Sequence, residues 1–400
     1  MIPSRFSQFC VSRQKIHVAF FAVLAAFALA IAPAGMRAAD AATDASGIIP
    51  LMRKVADWQL ANPHRDLSAN PHKSTLSQIG WVQAAGYTGV MALAELTRDE
   101  HYCNALRQIG EKHGWSMLGR VYDADDQCIA QTYADLYQKY RDPKMIAQVT
   151  ERFDYILAHP ATSILKFEPS VNPGHRNRWS WCDALYMAPP AWLRLWVATG
   201  KKQYRDFVVT NWWKTSAHLY DDAEHLYYRD DRFAGVGEES AVREANGKKV
   251  FWSRGNGWVM GGLVRVLQIL PKDDPARPRF ERQFREMAPV VLSCQQSDGL
   301  WRVSMFDPAS YPLKETSGSG FFCYAFAWGI NNGLLDRATY EPAVLQCWNA
   351  MVACVTPEGK LTHVQPVGYD PKSFPDDSTE AYGSGAFLLA GSEVYKLLAK

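Results

Sequence analysis

Six times along this 400-residue chain, a cluster of small and aromatic residues opens an apolar stripe of helical spacing. The six read "WVQAAGYTGVMALAEL" from Trp81, "DQCIAQTYADLYQKY" from Asp126, "WCDALYMAPPAWLRLW" from Trp181, "WSRGNGWVMGGLVRVLQIL" from Trp252, "TSGSGFFCYAFAWGINNGLL" from Thr316 and "STEAYGSGAFLLAGSEVYKLL" from Ser378. They recur at intervals of about 45 to 70 residues, longer than the periods of simple solenoids, so each unit has room for a helical hairpin and its loops. Small residues let these helices approach one another closely, as members of an inner ring must. Between them lie more polar helical stretches with apolar residues at i, i+3, i+4 and i+7, such as "PARPRFERQFREMAPVVLSCQQ" from Pro275 and "YEPAVLQCWNAMVACV" from Tyr340, which suit an outer ring.

Strand signals are scarce. The clearest extended candidates, near "HLYYRDDRF" and "RVSM", are short. The pattern predicts an all-α protein, an (α/α)6 barrel of six helical hairpins whose inner helices all enter from one end. The loops "FEPSVNPGHRNRW" and "FAGVGEESAVREANGKKV" are long and polar, as the rim of a cleft at that end would be.

Ahead of the first unit, Arg5, Arg13 and Lys15 precede the apolar run "VAFFAVLAAFALAIA", and small residues follow. That order is the order of a secretory leader, and the run is roughly 15 residues against the ~20 a spanning helix needs. Residues 1–40 are expected to be a removable leader, 41–400 a single catalytic domain, and the mature protein exported, with the periplasm favoured over secretion and no stable membrane insertion once the leader is gone. Cys10 leaves with the leader, and the seven remaining cysteines sit mostly in apolar helical patterns, where cysteine serves as a small core residue. No Cys/His spacing suits zinc, and the histidines have no metal-binding pattern, so no metal, cofactor or obligatory disulfide is expected. A net charge of +2 without basic runs gives nucleic acid nothing to bind. The absence of a G-x-S-x-G elbow or a P-loop argues against an α/β-hydrolase or a nucleotide enzyme.

The helix openings carry the chemistry-bearing candidates. Asp183 begins an apolar helix, where an aspartate is usually a cap that complements the helix dipole. Here Trp179, Trp181, Tyr186 and Met187 flank it, and aromatic walls that exclude water raise a carboxylate's pKa and keep a proton available near neutral pH. Asp125 or Asp126, opening the preceding unit, would supply a second carboxylate by facing Asp183 across a shared cleft. "WSRGNGW" sets Arg254 between Trp252 and Trp258, readable either as a stacked structural arginine or as a fork for a carboxylate between platforms for a sugar ring. Tyr87 is read as a platform, Trp81 as platform or core, and Glu315 and Glu380 as caps of the fifth and sixth inner helices.

Taken together, "WCDALYMAPP" and "WSRGNGW", with support from "DDQCIAQTYADLY", "ETSGSG" and "STEAYGSGAFLLAGSEVY", resemble the unsaturated glycuronyl hydrolases of glycoside hydrolase families 105 and 88, family 105 most closely. The resemblance covers nearly the whole chain after the leader. It implies that Asp183 is the catalytic acid with Trp181 and Met187 lining its subsite, that Arg254, Trp252 and Trp258 surround an unsaturated uronate, and that Asp126 is the second catalytic aspartate. One departure stands out: many rhamnogalacturonyl members carry a histidine after L-[FY]-[FY], where this chain has Arg229 in "LYYRDD". A second guanidinium there points to a different or more anionic substrate.

The implied reaction is hydration. The substrate is an oligosaccharide ending in a 4,5-unsaturated uronic acid left by a polysaccharide lyase; Asp183 protonates C4, water adds at C5, and the hemiketal collapses to release the neighbouring sugar, with no cofactor. Three rival readings make different demands. An inverting glycosidase in the same barrel needs two carboxylates about 6.5–9.5 Å apart across a saturated glycosidic bond. A sugar epimerase would show paired histidines at adjacent helix openings, which the sequence lacks. A noncatalytic sugar-binding protein would be indifferent to Asp183→Asn.

Overall fold

The computed structural model describes residues 45–63, 77–235 and 242–399. The expected leader lies outside these residues, and no described helix is long and apolar enough to cross a membrane. In chain order the helices are α1 (Ala45–Ala61), α2 (Trp81–Thr97), α3 (Glu100–Lys112), α4 (Ala124–Gln127), α5 (Ile129–Tyr140), α6 (Lys144–Ala158), α7 (Ala184–Met187), α8 (Pro189–Thr199), α9 (Lys202–Leu219), α10 (Asp231–Ala234), α11 (Ser253–Leu267), α12 (Arg277–Ser293), α13 (Thr316–Asn331), α14 (Arg337–Val352) and α15 (Ala381–Leu398). Among the described residues the only paired strands are β1 (Tyr220–Asp221) and β2 (Leu226–Tyr227), an antiparallel pair of which β2 lies inside the expected "HLYYRDDRF" segment and β1 just before it.

Helices α2, α5, α8, α11, α13 and α15 pack side to side in a closed inner ring, and each carries an outer partner. The expected (α/α)6 barrel of six hairpins is what forms. The sixth hairpin joins the two ends of the chain, since α1 packs on α15 and the Ser384 hydroxyl donates to Gln59 Oε1 at 2.8 Å.

Burial follows the two sequence patterns. Outer helices bury one stripe, as in α6 with Met145, Ile146, Val149, Phe153 and Ile156, whereas α13 is buried almost all round. Close packing of inner helices explains the small residues: a Cβ on Gly89 would collide with the backbone of Gly385, so α2 and α15 meet main chain to main chain. The seven cysteines of the described residues are free thiols, six of them buried.

Candidate active site

The inner helices α2, α11, α13 and α15 open at Gly80, Trp252, Glu315 and Glu380, and the short helices α4 and α7 that lead into α5 and α8 open at Asp123 and Asp183. Short bridges pair Trp181 with Asp230, Trp252 with Ser304 and Trp301 with Glu315. The rim is therefore a braced ring of extended segments.

Asp183 precedes α7 with helical backbone angles, and its side chain makes no capping hydrogen bond. The cap reading is thereby excluded. Its carboxylate is 8% exposed at the level of the residue, with two neighbours on Oδ2: the Cys182 thiol donates at 3.6 Å, and Arg229 Nε stands 3.4 Å away. Both fall on Oδ2, so among the described residues Oδ1 is the oxygen left to face a reacting group.

Local sequence explains why this turn sits where it does. Pro189 and Pro190 lack the N–H groups that would continue the ladder from Leu185 and Tyr186, so the helix expected over the whole segment breaks at Ala188 into α7 and α8. Gln131 on α5 supplies the missing donor, giving its amide to the carbonyls of Tyr186 at 2.9 Å and Met187 at 3.1 Å. Arg265 Nε in turn donates to Gln131 Oε1 at 2.7 Å and orients that amide. On the other side the Leu185 carbonyl lies against Gly262 of α11, where a Cβ would collide with it.

Asp126, the expected second carboxylate, and its neighbour Asp125 meet different arginines. Asp126 is 1% exposed, with Oδ2 accepting from Arg120 N at 2.8 Å and Oδ1 from Arg120 Nε at 3.2 Å. Asp125 pairs with Arg176, whose guanidinium lies 4.5 Å from the Trp181 ring centre. Burial pushes the Asp125 carboxyl up to about 6; the Asp123 and Asp183 charges add to this, while Arg176 and Arg120 act against it. The Asp125 carboxyl thus feels the charge of Asp183.

Arg229, the departure noted in the sequence, stands beside Asp183. Cys182 N donates to Arg229 O at 2.8 Å, fixing the segment after β2 that carries Arg229 beside Asp183. Its Nη1 donates to Asp230 Oδ2 at 2.8 Å, and its carbon centre lies 4.5 Å from the Phe167 ring. Arg232 grips the same Asp230 through Nε and Nη2, both at 2.8 Å, and lies 5.0 Å from the rings of Phe167 and of the exposed Tyr369. Although burial raises it, Asp230 is held below the usual carboxylate range by Arg232 and Arg229.

Other expected ligands of the sugar are placed differently. Arg254 is 1% exposed and its fork is occupied: Nη1 donates to Gln365 O at 2.6 Å and Nη2 to Pro366 O at 2.9 Å, with the Trp252 ring 4.4 Å away. It clamps the loop that carries Tyr369 over the rim, and Trp252 Nε1 helps by donating to Gln365 Oε1 at 2.8 Å. Trp258 is fully buried behind Tyr186 and Phe321, and Met187 is buried as well. Tyr87, read as a platform, is a core residue whose phenol is raised by burial. Trp81 is half-buried and stacks on Tyr382 at 5.5 Å. Glu315 is the expected cap, accepting from Ser317 N and Gly318 N, whereas the Glu380 side chain makes no cap bond.

Residues that sequence reasoning missed are Arg176, Phe167, Arg232, Tyr369 and Gln131. The first two lie in the loop marked as a rim, and Tyr369 stands between Gly368 and Pro371, an aromatic on a turn. Gln131 had only an indirect signal, the carbonyls left without donors by the Pro-Pro pair.

The fold is an (α/α)6 barrel with a buried carboxylate, Asp183, beside a guanidinium among the helix openings at one end. The Glycosyl Hydrolase Family 88 model matches residues 46–398, and the chain belongs to that family. It is a glycoside hydrolase. The chain is 39% identical over 86% of its length to the unsaturated 3S-rhamnoglycuronyl hydrolase of Formosa agariphila, covering 90% of that protein. It is 32% identical over 85% of its length to the protein of the same name from Alteromonas sp. (strain LOR), covering 83% of it. Among solved structures, a glycosyl hydrolase family 88 protein from Bacteroides vulgatus superposes with a TM-score of 0.76 at 31% identity, over 89% of this chain and 100% of that one.

Proposed function

We propose that this hydrolase removes a terminal 4,5-unsaturated uronic acid from lyase-generated oligosaccharides in which the next sugar is a 3-sulfated rhamnose. The observation that carries the reading is Arg229 Nε at 3.4 Å from Asp183 Oδ2, which puts a guanidinium beside the acid in a cleft whose rim adds Arg176 and Arg232. A uronate bearing a sulfated neighbour brings two anionic groups, and planar guanidinium groups recognise both. The names of the Formosa and Alteromonas relatives support the same substrate.

The reaction follows from the site. Asp183 delivers a proton from Oδ1 to C4 of the C4=C5 enol ether, leaving positive charge on C5 shared with the ring oxygen. Water adds to C5 and gives its proton to the carboxylate pair formed by Asp183 and Asp125. The C5 hemiketal opens, and the neighbouring sugar departs from C1. Phe167, Tyr369 and the Trp181–Arg176 stack limit the water that reaches the acid, so proton transfer to carbon competes with fewer side reactions.

The test uses absorbance of the conjugated uronate with three substrates: the 3-sulfated rhamnose disaccharide, its desulfated form, and a pectic counterpart with unsulfated rhamnose. The sulfated substrate is expected to be consumed fastest, and Arg229→His to narrow the gap. Equal or better turnover of the unsulfated substrates would reject the sulfated assignment and leave the unsaturated uronate in place.

The leader pattern of residues 1–40 supports export, and the enzyme is assigned to the periplasm, where imported oligosaccharides meet it. Periplasmic activity with a mature N-terminus near residue 40 is expected after fractionation; full-length protein in the cytoplasmic fraction would refute this location.

A further inference from the structure

A cavity of about 690 Å³ lies between the outer helices α6 and α9, within the range of roughly 300–1,000 Å³ that suits small-molecule ligands. Gln203, Phe207, Asn211 and Lys214 recur along α9 at helical spacing and so present one stripe to it. The other walls are the end of α6 and the segment bearing Asn177, Arg178 and Trp179. Arg176 and Trp181, which flank that segment, stack on each other beside Asp125, and none of Asp183, Asp125 and Arg229 lines the cavity. One stretch of chain thus serves both the surroundings of the acid and a separate cavity.

The charges in this lining do not cancel. Arg178 donates from Nη1 to the Ser163 carbonyl at 3.1 Å, and neither Arg178 nor Lys214 makes an ion pair among the described residues. The carboxylate in the lining, Asp206, is already engaged, with Arg205 at 2.9 Å and Lys202 at 3.4 Å. Two cations are left without a carboxylate.

The rest of the lining suits a sugar. The Asn177 and Gln203 amides and the Thr162 and Thr210 hydroxyls make no side-chain hydrogen bond among the described residues, which leaves donors and acceptors for ring hydroxyls. Ile156, Leu157 and Phe207 add apolar surface for the C–H faces of a ring, and Phe207 is held by its stack on Trp192 at 4.1 Å. An inorganic anion would meet the two cations and leave both of these features unused.

We propose that this cavity is a second saccharide site, which holds a stretch of uronate-bearing oligosaccharide apart from the site that reacts. Arg178 and Lys214 take its carboxylates, the amides and hydroxyls take its ring hydroxyls, and Phe207 packs on a ring face. The choice of a uronate-bearing chain rests on the reaction read above.

The probe is a saturated uronate-bearing oligosaccharide, with its carboxyl-reduced form as the neutral control. Asp183→Asn is first saturated with the unsaturated disaccharide, so that the reacting cleft is filled, and the probe is then titrated by calorimetry. The acidic probe is expected to bind and the neutral one not to, and adding Lys214→Glu should weaken binding about tenfold or more, the worth of one hydrogen bond to a charged group. With Asp183 intact, Lys214→Glu should consume the disaccharide at the wild-type rate and, as Lys214 is exposed, melt as the wild type does. No binding once the cleft is filled, equal binding of the two probes, unchanged affinity when Lys214→Glu is combined with Arg178→Gln, or loss of turnover in Lys214→Glu would overturn the proposal. Failure of the reaction itself reads out separately, as wild-type enzyme that leaves the disaccharide intact.

Discussion

Asp183 begins a helical turn but caps nothing, and this sets it apart from an ordinary helix-start aspartate. Because the side chain satisfies no backbone donor, Asp183→Asn is expected to leave the unfolding midpoint nearly unchanged while reducing turnover by about 100-fold or more, the usual worth of a positioned general acid. Thermal melts alongside turnover check both halves. Asp125 offers a pH signature. Its carboxyl is raised from 3.8 to about 6, so the folded state binds the proton more tightly; the stability this confers is present below about pH 4 and lost as pH rises through 6. In Asp125→Asn that decline between pH 4 and 6 should flatten, as read by denaturant unfolding at each pH. At this scale the sequence disclosed Asp183 through its aromatic surroundings and Arg229 through its departure from the family pattern. It could not separate Asp125 from Asp126, because the choice turns on which of two adjacent carboxylates meets Arg120 and which meets Arg176.

Among the elements, the Pro-Pro break positions the site. Proline removes the ladder donors of Leu185 and Tyr186, the helix breaks between the turn bearing Asp183 and α8, and Gln131 on the neighbouring helix donates to the carbonyls of Tyr186 and Met187. Gln131→Met should therefore cost about 1–3 kcal/mol of stability, the penalty for buried carbonyls left without donors. It should also lower the rate constant more than it changes the Michaelis constant, since the acid is displaced and not the binding rim. An equal effect on both parameters would assign Gln131 to binding. The inner helices were legible because small residues at their openings are an unavoidable consequence of close packing, as Gly89 against Gly385 shows. The break at Cys128 was not, since no proline or glycine marks it, whereas Pro189 and Pro190 mark the one at Ala188. Arg254 could not be decided from sequence: a stacked arginine between tryptophans reads alike whether its fork meets a substrate carboxylate or the carbonyls of Gln365 and Pro366.

For the molecule as a whole, the barrel has two polar ends. One gathers helix openings around Asp183 and Arg229; the other gathers the charged cluster around Arg265. The apolar inner ring between them gives a rigid frame, closed by α1 on α15. That closure makes the fold depend on both termini of the described chain. A chain beginning at residue 63 lacks α1, exposes the apolar face of α15, and is expected to unfold at lower denaturant concentration or to aggregate during purification, as size-exclusion chromatography would show. The six-unit pattern disclosed this architecture from sequence because every unit repeats the same packing requirement. The rim was only partly legible, since its contacts, such as Tyr369 over Arg232, join segments more than a hundred residues apart.

The central claim is that the enzyme acts on the double bond and not directly on the glycosidic bond. The most direct measurement is nuclear magnetic resonance of the released uronate after turnover in deuterium oxide, with ultraviolet absorbance followed in parallel. Hydration led by Asp183 predicts deuterium at C4 and loss of the conjugated absorbance in step with sugar release. A released uronate that keeps its double bond and its absorbance would contradict the account and show ordinary hydrolysis at C1.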